Sequence, residues 1–173
     1  KAYAQLKQWH TKRKIVVFES DDWGSTRMPS LSVFRKLAQT YPEIEKDHYS
    51  HFDSIENAED LESLFLVLRN HKDSNGNHPV VTANTIMANP DFRRIKAEGY
   101  SNYYYEPFYK TIEDQPGGKQ VLRLWKEGVD NKLFRPQFHG REHLLVPVWL
   151  YELQNGNALL QQAFEEGVYG VPV

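Results

Sequence analysis

The stretch KIVVFESDDWGS, residues 14–25, decides the fold. Ile15, Val16, Val17 and Phe18 are four apolar residues in a row, with β-branched content and too little length for a helix. They read as a buried strand over residues 15–19. Glu19, Asp21 and Asp22 follow immediately. Adjacent carboxylates repel each other, and at the end of a buried strand something must neutralise them. A bound metal ion, or a reaction that uses a base, would do so.

Outward from this stretch, strands and helices alternate. Gly24 and Pro29 mark a loop, and Ser30 is placed to cap a helix through LSVFRKLAQ, where Leu31, Phe34 and Leu37 recur at helical spacing. Residues 41–57 form a long polar connection, rich in His, Asp and Ser, of a kind that often carries function. Asn57 caps NAEDLESLFLVLRNHK, whose apolar face is Leu61, Leu64, Phe65 and Leu68. After the SNGN turn, a second strand covers 79–84. Asn89-Pro90 has the pattern of a cap followed by proline at the first helical position, with Gly99 closing that helix.

A third strand is expected over 101–106, a helix in GGKQVLRLWKEGV ending near Gly128, and a fourth strand over 133–138. Pro147 opens one further helix, and NALLQQAFEEG forms the last before the apolar VYGVPV. This order predicts an α/β protein with mostly parallel strands and crossover helices, either an open doubly wound sheet or a barrel. In both, functional groups gather at the carboxyl ends of the strands.

Composition narrows the function. The chain has 173 residues, 40% of them hydrophobic, which suffices for one domain with a real core. A net charge of −2 with scattered basic residues gives no nucleic-acid footprint. No segment approaches the roughly 20 apolar residues of a membrane span. Cysteine is absent, which removes disulfides, thiolate nucleophiles and Cys-bound zinc. KAYAQLKQWH at the start lacks the apolar core of a signal peptide, and with Lys1 in place of Met an upstream segment and the localisation are left open. Neither GxGxxG nor GxxxxGK[ST] follows the first strand, which argues against a nucleotide-phosphate site.

The strand-end rule places Asp21 and Asp22 on the same side of the sheet as His139 and His143, which follow the fourth strand. The two histidines are four apart, so one helical turn would align them. Two imidazoles and a carboxylate make a typical site for Zn²⁺ or another divalent ion, and the remaining carboxylate is left to act as general base.

FESDDWG followed by FHGREH resembles the polysaccharide deacetylases of the NodB-homology type, carbohydrate esterase family four. In that family a Thr-Phe-Asp-Asp motif follows the first strand and a His-(Ser/Thr)-x-x-His motif comes later. The resemblance implies Asp21 as catalytic base, Asp22, His139 and His143 as ligands of one divalent ion, usually Zn²⁺, and a polysaccharide or oligosaccharide substrate. It implies a hydrolase of carbohydrate metabolism that removes N- or O-acetyl groups. The implied fold is a distorted (β/α) barrel of about seven strands, of which residues 1–173 would be the N-terminal part. Ser20, Trp23 and Gly140 depart from the residues usual in the family's motifs. Arg135 and Pro136 precede the His pair, whereas the family's arginine motif follows it. The family's catalytic acid comes from a late motif that this sequence does not contain.

Secondary candidates lie at the same strand ends. Asn84 and Glu106 close the second and third strands and either face the pocket or serve as turn residues. Trp23 is placed to wall the pocket and stack on a sugar, a role less expected of Tyr103, Tyr104 and Tyr105. Arg141 is a candidate partner for the base Asp21, or for Glu142, and His48 and His51 sit in the polar connection as candidate groove residues.

Three other functions compete. HGREH matches the H-x-x-E-H of a metalloprotease, with Glu142 as base, but that motif needs an unbroken helix. A carbohydrate-binding barrel without catalysis is the second. An iron oxygenase with a two-His-one-carboxylate site is the third, although such sites usually carry an HxD motif.

Overall fold

The computed structural model describes residues 10–171. The described residues form five strands and eight α-helices. In order they are β1 (Phe18–Trp23), α1 (Leu31–Thr40), α2 (His48–Phe52), α3 (Ala58–Arg69), β2 (Val81–Thr85) and β3 (Ala88–Pro90). Then come α4 (Phe92–Ala97), β4 (Tyr105–Pro107), α5 (Phe108–Asp114), α6 (Gly118–Asp130), β5 (Phe134–Phe138), α7 (Val146–Gln154) and α8 (Ala158–Glu165). A 3-10 turn, Pro42–Lys46, lies between α1 and α2.

The main sheet is parallel, in the order β1-β2-β5. Its carboxyl ends therefore share one edge, as the alternating pattern requires. The fold is mixed α/β, and the sheet of the described residues has three strands and does not close. No helix among those residues is long and apolar enough to cross a membrane.

Local chemistry explains the helix starts. The Ser30 hydroxyl accepts from the Val33 N–H at the start of α1. At α3, Asn57 and Asp60 form a reciprocal capping box. The Asn157 side chain accepts from the Leu160 N–H at α8. Leu61, Phe65 and Leu68 of α3 meet Val121, Leu124 and Trp125 of α6 over Val81, Ala83 and Phe134 of the sheet. A second core joins Phe34 and Leu37 to Trp149, Leu153, Leu160, Phe164 and Tyr169.

Three expectations are corrected. The apolar run before the acidic cluster is not a buried strand. Pairing begins only at Phe18, and Ile15 to Phe18 are all at least half exposed, because among the described residues β1 is an edge strand bonded to β2 alone.

Asn89-Pro90 does not start a helix. It lies in β3, and α4 begins at Phe92 with the Asp91 carboxylate as its cap. The Asn89 amide is buried instead in the loop after β1. There its Nδ2 donates to the Gly24 carbonyl at 2.9 Å and its Oδ1 accepts from the Thr26 N–H at 3.0 Å.

The third strand is only Tyr105–Pro107, and it pairs antiparallel with β3, apart from the main sheet. As expected, α6 ends near Gly128, at Asp130, and Gly128 is buried beneath Phe65 and Phe134.

Gly128 yields a test of this packing. A Cβ there would lie 2.3 Å from Phe65 Cζ and 2.9 Å from Phe134 Cβ, both parts of a buried core. In an ordinary helix interior Gly→Ala stabilises by about 1 kcal/mol. Here overpacking reverses the sign, and Gly128→Ala should destabilise by about 1–3 kcal/mol in urea denaturation. A stabilised variant would show that α6 does not press on Phe65 as described.

Candidate metal centre

Two adjacent aspartates on a regular strand would point to opposite faces. β1 separates them further. Its register with β2 slips between Ser20 and Trp23, and Asp22 takes a left-handed backbone with φ of +64°, tolerable for Asp. The Ser25 N–H closes the turn on the Asp22 carbonyl at 3.2 Å. Asp21 stays exposed and accepts from Asn84 Nδ2, on the neighbouring strand, at 2.7 Å. Asp22 is turned toward the residues that follow β5.

Those residues do not form a helix. The chain from His139 to Leu145 is a loop, and Gly140 adopts a φ of +108° that favours glycine. The loop is laid along the segment after β2. The His139 N–H donates to the Thr85 carbonyl at 2.9 Å, the Met87 N–H to Gly140 at 3.1 Å, and the Ala88 N–H to Arg141 at 2.9 Å. The expected helical turn is thus replaced by a backbone-anchored loop, which still brings the imidazoles together with ring centres 4.8 Å apart.

His143 Nε2 lies 3.2 Å and His139 Nε2 3.7 Å from Asp22 Oδ1, and one ligand atom from each of the three residues lies within 4.8 Å of the other two. Tetrahedral zinc with bonds of about 2.0–2.2 Å would hold its ligand atoms about 3.3–3.6 Å apart. Asp22 Oδ1 is also buried without a hydrogen-bond donor. A buried carboxylate oxygen facing two imidazole nitrogens fits a cation, so these three side chains could hold a divalent ion.

The surroundings contain groups with no motif to announce them. Arg27 Nη1 lies 3.5 Å from Asp22 Oδ2 and 3.3 Å from Asp53 Oδ2. Burial raises the Asp53 carboxyl above its ordinary value, against the opposing pull of Arg27. Beneath the turn, Glu56 accepts from the Gly24 N–H at 3.3 Å and from Trp125 Nε1 at 2.8 Å, and burial raises its pKa as well. Ser25 shares a 2.7 Å hydrogen bond with the Tyr169 hydroxyl, whose phenol burial pushes up to about 12. The one available signal for Asp53 was its place in the polar connection 41–57. Arg27 carried none.

The other candidates divide. Asn84 sits beside Asp21, as its strand-end position suggested. Trp23 turns inward rather than walling a pocket, packing edge-on against Phe134 at 4.8 Å and Trp125 at 6.4 Å. Glu106 is on the antiparallel ribbon, accepting from Thr111 Oγ1 at 2.8 Å, and so does not close a strand of the main sheet. Arg141 does not reach for Asp21. It pairs with Glu142 and lies over the Tyr103 and Tyr105 rings at 5.0 and 5.1 Å.

Glu142 is buried in that pair, so it is not a free base, and HGREH lacks the helix a metalloprotease motif needs. His51 is stacked between Phe34 and Phe52. The side chain of His48 lies outside the described residues.

Compared with protein-family models, curated proteins and solved structures, the chain matches none.

Glu56 predicts a pH effect. Its folded pKa lies above the ordinary 4.5, so the folded state binds this proton more tightly than the unfolded state. Its contribution to stability is therefore greatest at low pH and declines as pH rises through and beyond 4.5. Urea midpoints of wild type and Glu56→Gln, followed from about pH 4 to about pH 7, should show wild type losing ground to the variant. A difference that moves the other way would contradict the burial of this carboxyl.

Proposed function

We propose that the chain is a metal-dependent hydrolase that removes acyl groups, N- or O-acetyl, from a polysaccharide or oligosaccharide. The observation that carries this reading is the convergence of Asp22, His139 and His143, with Asp21 turned to a separate partner. The resemblance of FESDDWG and HGREH to the NodB-type deacetylases supplies the substrate class. The strand order supports the same reading. β1, β2 and β5 are adjacent in the order in which they occur, the arrangement of a barrel wall, whereas a doubly wound sheet reverses its order at a switch point. We therefore propose that this sheet belongs to a distorted (β/α) barrel.

In this reading Asp22 Oδ1, His139 Nε2 and His143 Nε2 hold a zinc-class ion. Such an ion supplies Lewis acidity toward the acyl carbonyl and toward water. Asp21 is the base. Asn84 donates to its Oδ1, which orients the carboxylate and leaves Oδ2 to take a proton from the attacking water. The water oxygen bonds to the acyl carbon, the C–N or C–O bond breaks, and the proton taken up by Asp21 passes to the departing sugar amine or hydroxyl, leaving the acyl group as its carboxylic acid. The open polar edge around Asp21 and Asn84 suits a hydrated, chain-like substrate.

The two carboxylates have separable roles, and mutation tests them. Asp22→Ala, His139→Ala and His143→Ala each remove a ligand and should lose most of the bound metal. Asp21→Asn should retain the metal and the fold while acetate release from acetylated chito-oligosaccharides falls by about 10²–10⁴. Metal content measured beside rate decides the matter. Retention of metal by Asp22→Ala and its loss by Asp21→Asn would exchange the two roles. Peptide cleavage without acetate release would replace the deacetylase reading with a protease.

A further inference from the structure

We infer that Arg27 is a positioning residue, one that holds Asp22 with a single oxygen turned to the metal. The inference rests on the metal-site reading above and concerns a residue outside the proposed ligand set.

The two oxygens of Asp22 face different partners. Oδ1 faces His139 and His143, and Oδ2 faces Arg27 Nη1 at 3.5 Å. A free carboxylate can rotate and offer both oxygens to an ion. With Oδ2 on a guanidinium the rotation is restrained and one oxygen remains available. Such outer partners orient metal ligands, and their removal typically costs 10–100-fold in metal affinity, an order of magnitude taken from metal sites in general.

Arg27 is itself fixed from three sides. Nη1 lies 3.3 Å from Asp53 Oδ2. The next residue ties the two segments by backbone, since the Met28 N–H donates to the Asp53 carbonyl at 3.1 Å. The third side is the C-terminal segment. A Cβ at Gly170 would lie 3.0 Å from Arg27 Cβ and 3.1 Å from its Nε, so the absence of a side chain at 170 lets the backbone lie against the arginine.

The charges agree with this arrangement. Asp22 and Asp53 bring two carboxylates and Arg27 one fixed positive charge. Both carboxylates lie against the same nitrogen, Nη1, of a planar guanidinium, whereas a lysine ammonium is a point charge on a flexible stem without that fixed donor geometry. The loop after β1, the end of α2 and the segment near Gly170 thus meet at one side chain, and that side chain faces Asp22.

The test uses the purified full chain. Zinc affinity is measured by competition with a chromogenic chelator, and the visible spectrum of the Co²⁺-loaded protein reports the coordination. Arg27→Met should bind zinc about 10–100-fold more weakly and change the Co²⁺ spectrum. Arg27→Lys should fall between it and wild type. Asp53→Asn, which keeps the cation but weakens its tether, should show a smaller loss in the same direction.

A merely structural ion pair would lower thermal stability without moving zinc affinity or the cobalt spectrum, and that result in the Arg27 variants would overturn the inference. Should Arg27→Met lack the wild-type far-UV spectrum, Arg27→Lys and Asp53→Asn decide alone. Unchanged affinity in both of these overturns it. Wild type that binds no zinc overturns the metal-site reading as well, whereas wild-type binding with unaffected variants overturns only the role of Arg27.

Discussion

The slip in β1 between Ser20 and Trp23 is the constraint on which the rest depends. Without it Asp21 and Asp22 would share a regular strand end, close in space and facing opposite sides. With it, Asp22 is turned by a left-handed backbone toward the β5 loop, while Asp21 remains over Asn84 on β2. Everything beneath the slip holds it in place. Glu56 binds the Gly24 N–H, Asn89 binds the carbonyl of the same residue, and Trp23 is anchored against Phe134 and Trp125. The left-handed turn is thus fixed by contacts from β3, α6, β5 and the segment before α3.

The other half of the site depends on parallel pairing. β5 lies alongside β2 in register from Val81 with Phe134 to Thr85 with Phe138, and the pairing runs on into the loop through the His139 and Ala88 amides. The imidazoles are thereby tied to the same sheet edge as Asp22. Arg141 and Glu142 fasten the far side of the loop over Tyr103 and Tyr105. The loop is held along most of its length, while His139 and His143 remain partly exposed to solvent.

The sequence made some of this legible. Alternation of apolar runs with capped helices pointed to a parallel sheet, and that in turn put Asp22, His139 and His143 on one edge. The caps at Ser30 and Asn57 obey local chemistry and are legible from neighbouring residues, and Asn157 follows the same chemistry. Other features depend on tertiary pairing. Ile15 to Phe18 have the composition of a buried strand but lie at or before an edge, where burial is decided by what covers the strand. Asn89-Pro90 has the pattern of a helix start, yet the Asn89 amide is used by a loop more than sixty residues earlier in the chain. Arg27 and Asp53 meet only because the loop after β1 folds against the end of α2. The histidine spacing suggested a helical turn, whereas the structure brings His139 and His143 together through a glycine-turned loop.

The central claim is that Asp22, His139 and His143 together hold one divalent ion. The most direct measurement is anomalous diffraction at the zinc edge from crystals of the wild-type protein grown with zinc. The account predicts a single strong peak within about 2.0–2.2 Å of Asp22 Oδ1, His139 Nε2 and His143 Nε2. No peak there, with the histidines bonded only to the Asp22 carboxylate, would contradict it.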